Sequence, residues 1–176
     1  NMKNIVATLS LLFATTLSAQ VAIGKSSISS PAVSLEFYDG ADNARGIILP
    51  WVTSTAAVTG AVNGTLVYNT ADRKVYVKYA SGWRDLSVDN TGTVTTTLQD
   101  SLTDQDTAKV LIGGDPSTDT TPGILVLADT NKAMVLPKVA SPHLNIVNPS
   151  PGMIVYDTTK KQLAVFNGTV WSFWKP

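Results

Sequence analysis

Few residues in this sequence have the types and spacing that enzyme chemistry needs. His143 is the only histidine and the chain has no cysteine, so a nucleophile–base pair or a zinc site lacks its usual residues. His143 stands between Pro142 and Leu144, a setting typical of a turn at the surface. No phosphate-binding glycine loop, G-x-S-x-G or H-E-x-x-H motif occurs. The sequence therefore predicts a protein that is not an enzyme and that uses no cofactor.

Carboxylates cluster in two polar stretches, residues 39–43 and residues 100–106. Calcium needs six to eight oxygen ligands from a loop of defined spacing, and the D-x-D-x-D-G pattern is absent. We expect these acids to be solvated loop residues and predict no metal site.

Four tryptophans could form a stacking platform for a sugar or could fill a core. Trp83 and Trp171 recur at equivalent places in a repeat, which favours packing. Trp51 has no aromatic counterpart, since Lys138 takes its place in the second copy. Trp51 is thus the candidate contact for a glycan, with packing or subunit contact as the alternative.

A stretch of about twenty residues occurs twice and organises the chain. Gly64 and Gly152 begin the two copies, and each is followed by two residues, then Val-Tyr, then Asn or Asp, then Thr. Apolar runs alternating with four-residue polar turns follow, which is the pattern of a β-hairpin. Trp83 and Trp171 close the copies, and both pairs of equivalent residues are 88 positions apart. We expect a three-stranded meander in each copy.

The fold class predicted from this pattern is all-β, with two tandem small antiparallel β-units. The units either pack together as a sandwich or are completed by strands from neighbouring subunits. Residues 20–86 form the first unit, 87–109 a polar linker and 110–176 the second unit. Short helical turns are expected only near 55–60 or 141–145. The predicted core residues of the repeat are Tyr68, Val77, Trp83, Tyr156, Val165 and Trp171.

Each unit holds roughly 55 ordered residues, and a unit of that size buries too little surface to be more than marginally stable alone. We therefore expect the chain to pack against other copies of itself. The short apolar strands that begin the units are natural edges for pairing with another chain. These predicted assembly residues are Val21, Ala22, Ile23, Val110, Leu111 and Ile112.

The first nineteen residues have the features of an export signal. Lys3 supplies a positive start, an apolar run of thirteen residues follows, and Leu17-Ser18-Ala19 gives small residues before Gln20. The run is too short to cross a bilayer core of roughly 30 Å. We predict cleavage after Ala19, a secreted product at the cell surface or outside the cell, and no membrane span in the mature chain.

Composition limits the partners. Lysine plus arginine balances aspartate plus glutamate, 13 against 13, so the formal net charge is zero. Without a basic cluster the chain has no electrostatic footprint for nucleic acid.

The phrase from Gly152 to Thr159, together with the run from Leu163 to Gly168 and Trp171, resembles a segment common in secreted β-repeat proteins of the Bacteroidota. Ser18-Ala19-Gln20 is similar to signal ends in that phylum. The resemblance implies a fibre-like or adhesin-like extracellular protein. It also implies O-glycosylation where Asp precedes Ser or Thr, and Ser101 and Thr107 in the linker fit that pattern.

Together these features predict a self-assembling, pilus-like or fibre subunit at the cell surface, joined to neighbours through edge-strand pairing. The alternative is a monomeric adhesin that binds a surface glycan or a host or cell-surface protein through exposed tryptophan and loops.

Overall fold

The computed structural model describes residues 20–103, 105 and 107–175. The predicted export signal, residues 1–19, lies outside the described residues, as do Asp104 and Asp106 of the linker. We call residues 20–86 unit 1 and residues 110–175 unit 2. The strands of unit 1 are β1 (Val21–Ile23), β2 (Val33–Phe37), β3 (Ile47–Ile48), β4 (Trp51–Val52), β5 (Leu66–Asn69), β6 (Lys74–Tyr79) and β7 (Gly82–Asp85). The strands of unit 2 are β8 (Val110–Ile112), β9 (Leu125–Leu127), β10 (Ala133–Val135), β11 (Lys138–Val139), β12 (Met153–Asp157), β13 (Gln162–Phe166) and β14 (Trp171–Trp174).

The all-β prediction is confirmed, and so is the meander in each unit. Strands β5, β6 and β7 pair antiparallel in unit 1, and β12, β13 and β14 do so in unit 2. The pairing Leu66↔Val77 in the first hairpin corresponds to Ile154↔Val165 in the second. Arg73 and Lys161, the last residues of the two equivalent turns, both adopt a positive φ, at 61° and 54°. The repeat in sequence is therefore a repeat in backbone conformation.

Within the units, four strand pairs are parallel, which the sequence did not predict. They are β1 with β2, β8 with β9, β4 with β5, and β11 with β12. The antiparallel prediction holds for the meanders and not for these pairs. Parallel neighbours require a connection long enough to return the chain to its starting end, and the polar stretches between these strands provide it.

The prolines that end the apolar runs mark a change of sheet. Before Pro50, strand β3 pairs with β12, and after it strand β4 pairs with β5. Before Pro137, strand β10 pairs with β2, and after it strand β11 pairs with β12. Because proline has no N–H to donate, the ladder breaks there and the chain can enter another sheet.

The helical content matches the two predicted turns. A 3-10 turn covers Thr55–Ala57, and a single helical turn, α1, covers Pro142–Asn145. Ser54 caps the first, since its hydroxyl accepts a hydrogen bond from the backbone N–H of Ala57 at 3.1 Å.

Strand pairing also crosses between the units. Strand β10 of unit 2 adds parallel to β2 of unit 1, and β3 of unit 1 adds antiparallel to the start of β12 in unit 2. One apolar core therefore contains residues of both units. A second core lies on the other face of the hairpin of β12 and β13, where Val155 and Ala164 are fully buried.

Candidate assembly interface

The two units pack against each other through a shared apolar core. Unit 1 contributes Leu49, Tyr68, Val75 and Leu86, and unit 2 contributes Ile154 and Val165, all of them buried. Burial of apolar side chains at roughly 25 cal/mol per Å² is the main stabilising contribution available to units of this size. The two units are thus joined as halves of one core.

Hydrogen bonds cross the same boundary. The Tyr68 hydroxyl donates to the carbonyl of Asn167 at 2.8 Å, and Nε1 of Trp51 donates to the carbonyl of Pro151 at 2.9 Å. The backbone N–H of Leu49 donates to the carbonyl of Gly152 at 3.1 Å. Burial raises the pKa of Tyr68 to about 12, so its hydroxyl stays protonated and remains a donor at neutral pH.

Gly152 permits the close approach of the units. Its φ is +79°, and a Cβ added there would lie 2.7 Å from Cβ of Tyr68. Any larger residue would therefore both strain the backbone and collide with a buried ring. The repeat in sequence marks Gly152 as equivalent to Gly64, but the contact with Tyr68 that requires a glycine is visible only in the tertiary structure.

Asn167 holds the turn that meets unit 1. Its Oδ1 accepts from the backbone N–H groups of Thr169 at 2.9 Å and Val170 at 2.8 Å, and its Nδ2 donates to Oδ1 of Asp89 at 3.1 Å. The sequence analysis assigned no role to this side chain, which is fully buried.

The start of the linker takes part in the same contact. The hydroxyl of Thr93 donates to the carbonyl of Gly168 at 3.0 Å, and that of Thr169 donates to the carbonyl of Thr91 at 2.9 Å. Val94 packs against the shared core. Residues 89–94 therefore run along unit 2.

The predicted edge strands lie at sheet margins. Val21 and Ile23 of β1 and Val110 of β8 are exposed, whereas Ile112 is buried. Within the described residues, β1 pairs only with β2 and β8 pairs only with β9. The side chains Ala22 and Leu111 are half-buried. Pairing of these edges with another chain stays a prediction.

The predicted core residues of the repeat occupy unequal environments. Tyr68 and Val165 are fully buried, and Val77, Trp83 and Trp171 are half-buried. Trp171 packs on Phe166 with ring centroids 5.2 Å apart. Tyr156, the equivalent of Tyr68, is exposed. Equivalent positions in the two units are thus covered differently.

Trp51, the candidate glycan contact, lies at the boundary between the units. Its ring is half-buried and stands 6.0 Å from that of Tyr68, centroid to centroid. Together with its bond to Pro151, this gives Trp51 a structural task, and glycan contact there stays a prediction.

The candidate glycosylation sites lie on the exposed linker. Ser101 and Thr107 are both exposed, as is Asp100 before the first of them. An accessible hydroxyl is what a modifying enzyme needs, and the modification itself stays a prediction.

The two acids of the first polar stretch, Asp39 and Asp42, have partners within the chain. Asp39 accepts from the ammonium groups of Lys25 at 3.1 Å and Lys138 at 3.4 Å, and Asp42 accepts from the Tyr38 hydroxyl at 2.7 Å. Asn43 donates to the carbonyl of Lys138 at 3.0 Å. In the part of the chain that the structure describes, no three His, Cys, Asp or Glu side chains converge as a metal site would need.

Glu36 is a charge enclosed in the sheet of unit 1. Its carboxylate accepts from the backbone N–H of Ser29 at 2.7 Å and from Nζ of Lys25 at 2.9 Å, and its side chain has no exposed surface. The hydrogen bond from Ser29, followed by that from Lys25, lowers the pKa of Glu36 despite burial. The two hydrogen bonds tie Lys25 and Ser29, which lie in the connection between β1 and β2, to strand β2.

A groove of about 510 Å³ opens on unit 2. It is lined by Leu136, Tyr156, Leu163 and Trp174, with Lys161, Gln162 and Lys175 beside them.

Among the described residues no helix is both long and apolar enough to cross a membrane.

A family model described as a phage tail like trimerisation region matches residues 115–175, which is most of unit 2. No characterised protein and no solved structure matches the chain. By its description the matched family is a trimerisation region, and this supports a structural protein that associates with copies of itself. It also supports the expectation that the chain is not an enzyme.

Proposed function

We propose that this protein is a homotrimeric structural subunit of an extracellular fibre. The observation that carries the proposal is the match of residues 115–175 to a trimerisation region. The repeat extends the argument, because unit 1 has the same meander and the same positive-φ turn as the matched unit. The chain therefore has two units of a kind associated with self-assembly.

The location belongs to the same proposal. The apolar run and the small residues before Gln20 support export, and the resemblance to secreted Bacteroidota repeat proteins supports a place at the cell surface or outside the cell. The sequence has no cysteine, so disulfides between these residues would not hold such a fibre.

Mass measurement tests the trimer. The protein, expressed with its own leader and purified, should give three chain masses by light scattering after size exclusion and by native mass spectrometry. A monomer at every concentration up to several milligrams per millilitre would overturn the proposal. N-terminal sequencing of the exported material should begin at Gln20, and retention of the leader would overturn the export part.

A further inference from the structure

The contact between the two units is not symmetric. Unit 1 contributes what we call its receiving face, which consists of Leu49, Tyr68, Val75 and Leu86. Unit 2 contributes its covering face, which consists of Gly152, Ile154, Val165 and Asn167. Because the units are repeats, each must also have the face that the other uses. Both of those remaining faces can be located by sequence equivalence.

The receiving face of unit 2 is the groove described above. Tyr68, Val75 and Leu86 correspond to Tyr156, Leu163 and Trp174, each 88 positions later, and Leu49 corresponds to Leu136. Tyr68 is 0% exposed beneath unit 2, whereas Tyr156 is 37% exposed. In unit 2 the four equivalents line the groove, where Tyr156 is exposed, whereas Leu136, Leu163 and Trp174 are half-buried and also pack against the shared core.

The covering face of unit 1 is open at Gly64 and Tyr79, whereas Leu66 and Val77 pack against the shared core. Gly64, Leu66, Val77 and Tyr79 are the equivalents of Gly152, Ile154, Val165 and Asn167. A Cβ added to Gly64 meets nothing within 4 Å, and Tyr79 is 47% exposed where Asn167 is 0% exposed. This unit keeps the glycine that close approach requires, but nothing approaches it within the described residues.

The strand edges give the same result independently of the side chains. In unit 1 the outer edge of β2 pairs with β10, but its equivalent β9 has no second neighbour in the described part of the chain. In unit 2 the start of β12 pairs with β3, but the equivalent start of β5 has no such partner there. Unpaired backbone edges attract further strands.

We propose that the covering face of unit 1 in one copy packs onto the receiving face of unit 2 in a second copy. This inference rests on the proposed function, since it names the contact through which the chains would assemble. One rigid arrangement, the one already seen inside the chain, fills the groove, covers Gly64 and pairs both free strand edges. A monomeric ligand for the groove would leave the two strand edges and Gly64 unexplained.

The equivalence fixes the register of the new contact. Within the chain, β10 pairs parallel with β2 through Met134↔Leu35 and Val135↔Glu36. Between chains, the equivalent parallel pairing joins β3 of one copy to β9 of the other, through Ile47↔Leu125 and Ile48↔Val126. Within the chain, β3 pairs antiparallel with β12 through Ile47↔Ile154 and Ile48↔Met153. Between chains, the equivalent antiparallel pairing joins β10 of one copy to the start of β5 of the other, through Met134↔Leu66 and Val135↔Thr65. A head-to-tail contact of this kind forms a ring when its rotation closes, and a trimer is one such ring.

Complementing variants test the contact. Gly64→Asn adds bulk to the covering face while tolerating a positive φ, and Tyr156→Glu places a charge in the receiving face. Each variant alone should be monomeric at concentrations where the wild type is trimeric, with an unchanged circular dichroism spectrum. Mixed together they should form a 1:1 dimer, because each still has the one face that the other lacks. Leu144→Glu, at a 72% exposed position on α1, is the control and should remain trimeric.

Cysteine pairs test the register, and the chain's lack of native cysteine gives a clean background. A mixture of Thr65→Cys and Val135→Cys chains should give a disulfide-linked dimer of one chain of each kind under mild oxidation. The matched control is the double variant Ile48→Cys/Met153→Cys, whose positions pair within the chain and which should cross-link internally.

The outcomes separate the two proposals. Wild-type monomers at every concentration would overturn the proposed function and this contact with it. Wild-type trimers in which both single variants still assemble, and in which Thr65→Cys and Val135→Cys do not cross-link, would overturn this contact alone.

Discussion

The hydroxyl of Tyr68 in unit 1 donates a 2.8 Å hydrogen bond to the backbone carbonyl of Asn167 in unit 2. Both residues are fully buried, and the bond lies at the boundary where the two units share a core. Asn167 in turn fixes the turn of unit 2 through its own side chain. The bond therefore links the packing of the units to the shape of the turn.

Tyr68→Phe should lower the free energy of unfolding by about 1–2 kcal/mol, because the ring is kept while a buried carbonyl loses its donor. Urea denaturation followed by tryptophan fluorescence measures the change. Tyr156→Phe is the matched control, because the Tyr156 hydroxyl lacks a hydrogen-bond partner among the described residues. Both variants are measured at a dilution where the chains are separate. Equal losses for the two variants would contradict the assigned role of Tyr68.

Two equivalent glycines should respond differently to alanine. Gly64 and Gly152 both have positive φ, at +90° and +79°, so either substitution costs about 1–2 kcal/mol in backbone strain. Gly152→Ala should cost about 1–3 kcal/mol more, because its Cβ collides with Tyr68. Thermal and urea unfolding of both variants in dilute solution measures the difference. Variants of equal stability would show that the units do not pack at Gly152 as described.

Glu36→Gln should change how stability depends on pH. The folded-state pKa of Glu36 lies below its ordinary value of 4.5, so its contribution is present above pH 4.5 and is lost as the pH falls through the folded pKa. The stability gap between wild type and Glu36→Gln should therefore narrow as the pH drops below 4.5. Urea midpoints measured between pH 7 and pH 3 provide the test. Because Glu36 is the only glutamate in the sequence, the substitution removes that residue type entirely.

Cleavage of the linker should leave the units together. Leu98 and Leu102 are strongly exposed, so brief thermolysin digestion should cut the chain near them. The two fragments should still elute together under native conditions, because β10 pairs with β2 and β3 pairs with β12 across the units. They should separate in denaturant. Fragments that part without denaturant would contradict the shared core.

Local patterns were sufficient for the hairpins. The alternation of apolar and polar residues around the four-residue turns predicted β5 with β6 and β12 with β13, in the observed antiparallel sense. The two helical turns near Thr55 and Pro142 were also predictable, since Gly and Pro patterns act over a few residues. Such features depend on hydrogen bonds between neighbours in the chain.

The parallel pairs depended on longer connections. Strand β1 could pair with β2 in either direction as far as its three residues are concerned, and the loop between them decides the direction. The same holds for the change of sheet at Pro50, because a proline interrupts the ladder but does not determine which strand the chain pairs with next. No residue type encodes which distant edge a short strand will meet.

The sequence by itself determined that this protein consists of two repeated β-units with equivalent glycines, tyrosines and apolar strands. The reason is that the alternation of apolar and polar side chains, and the residue types of the turns, act over a few neighbouring residues. Only the tertiary structure decided that Tyr68 is buried while Tyr156 is exposed, and that Gly152 is covered while Gly64 is open. The physical reason is that two identical surfaces cannot each cover the other in a head-to-tail contact, so one receiving face and one covering face remain open.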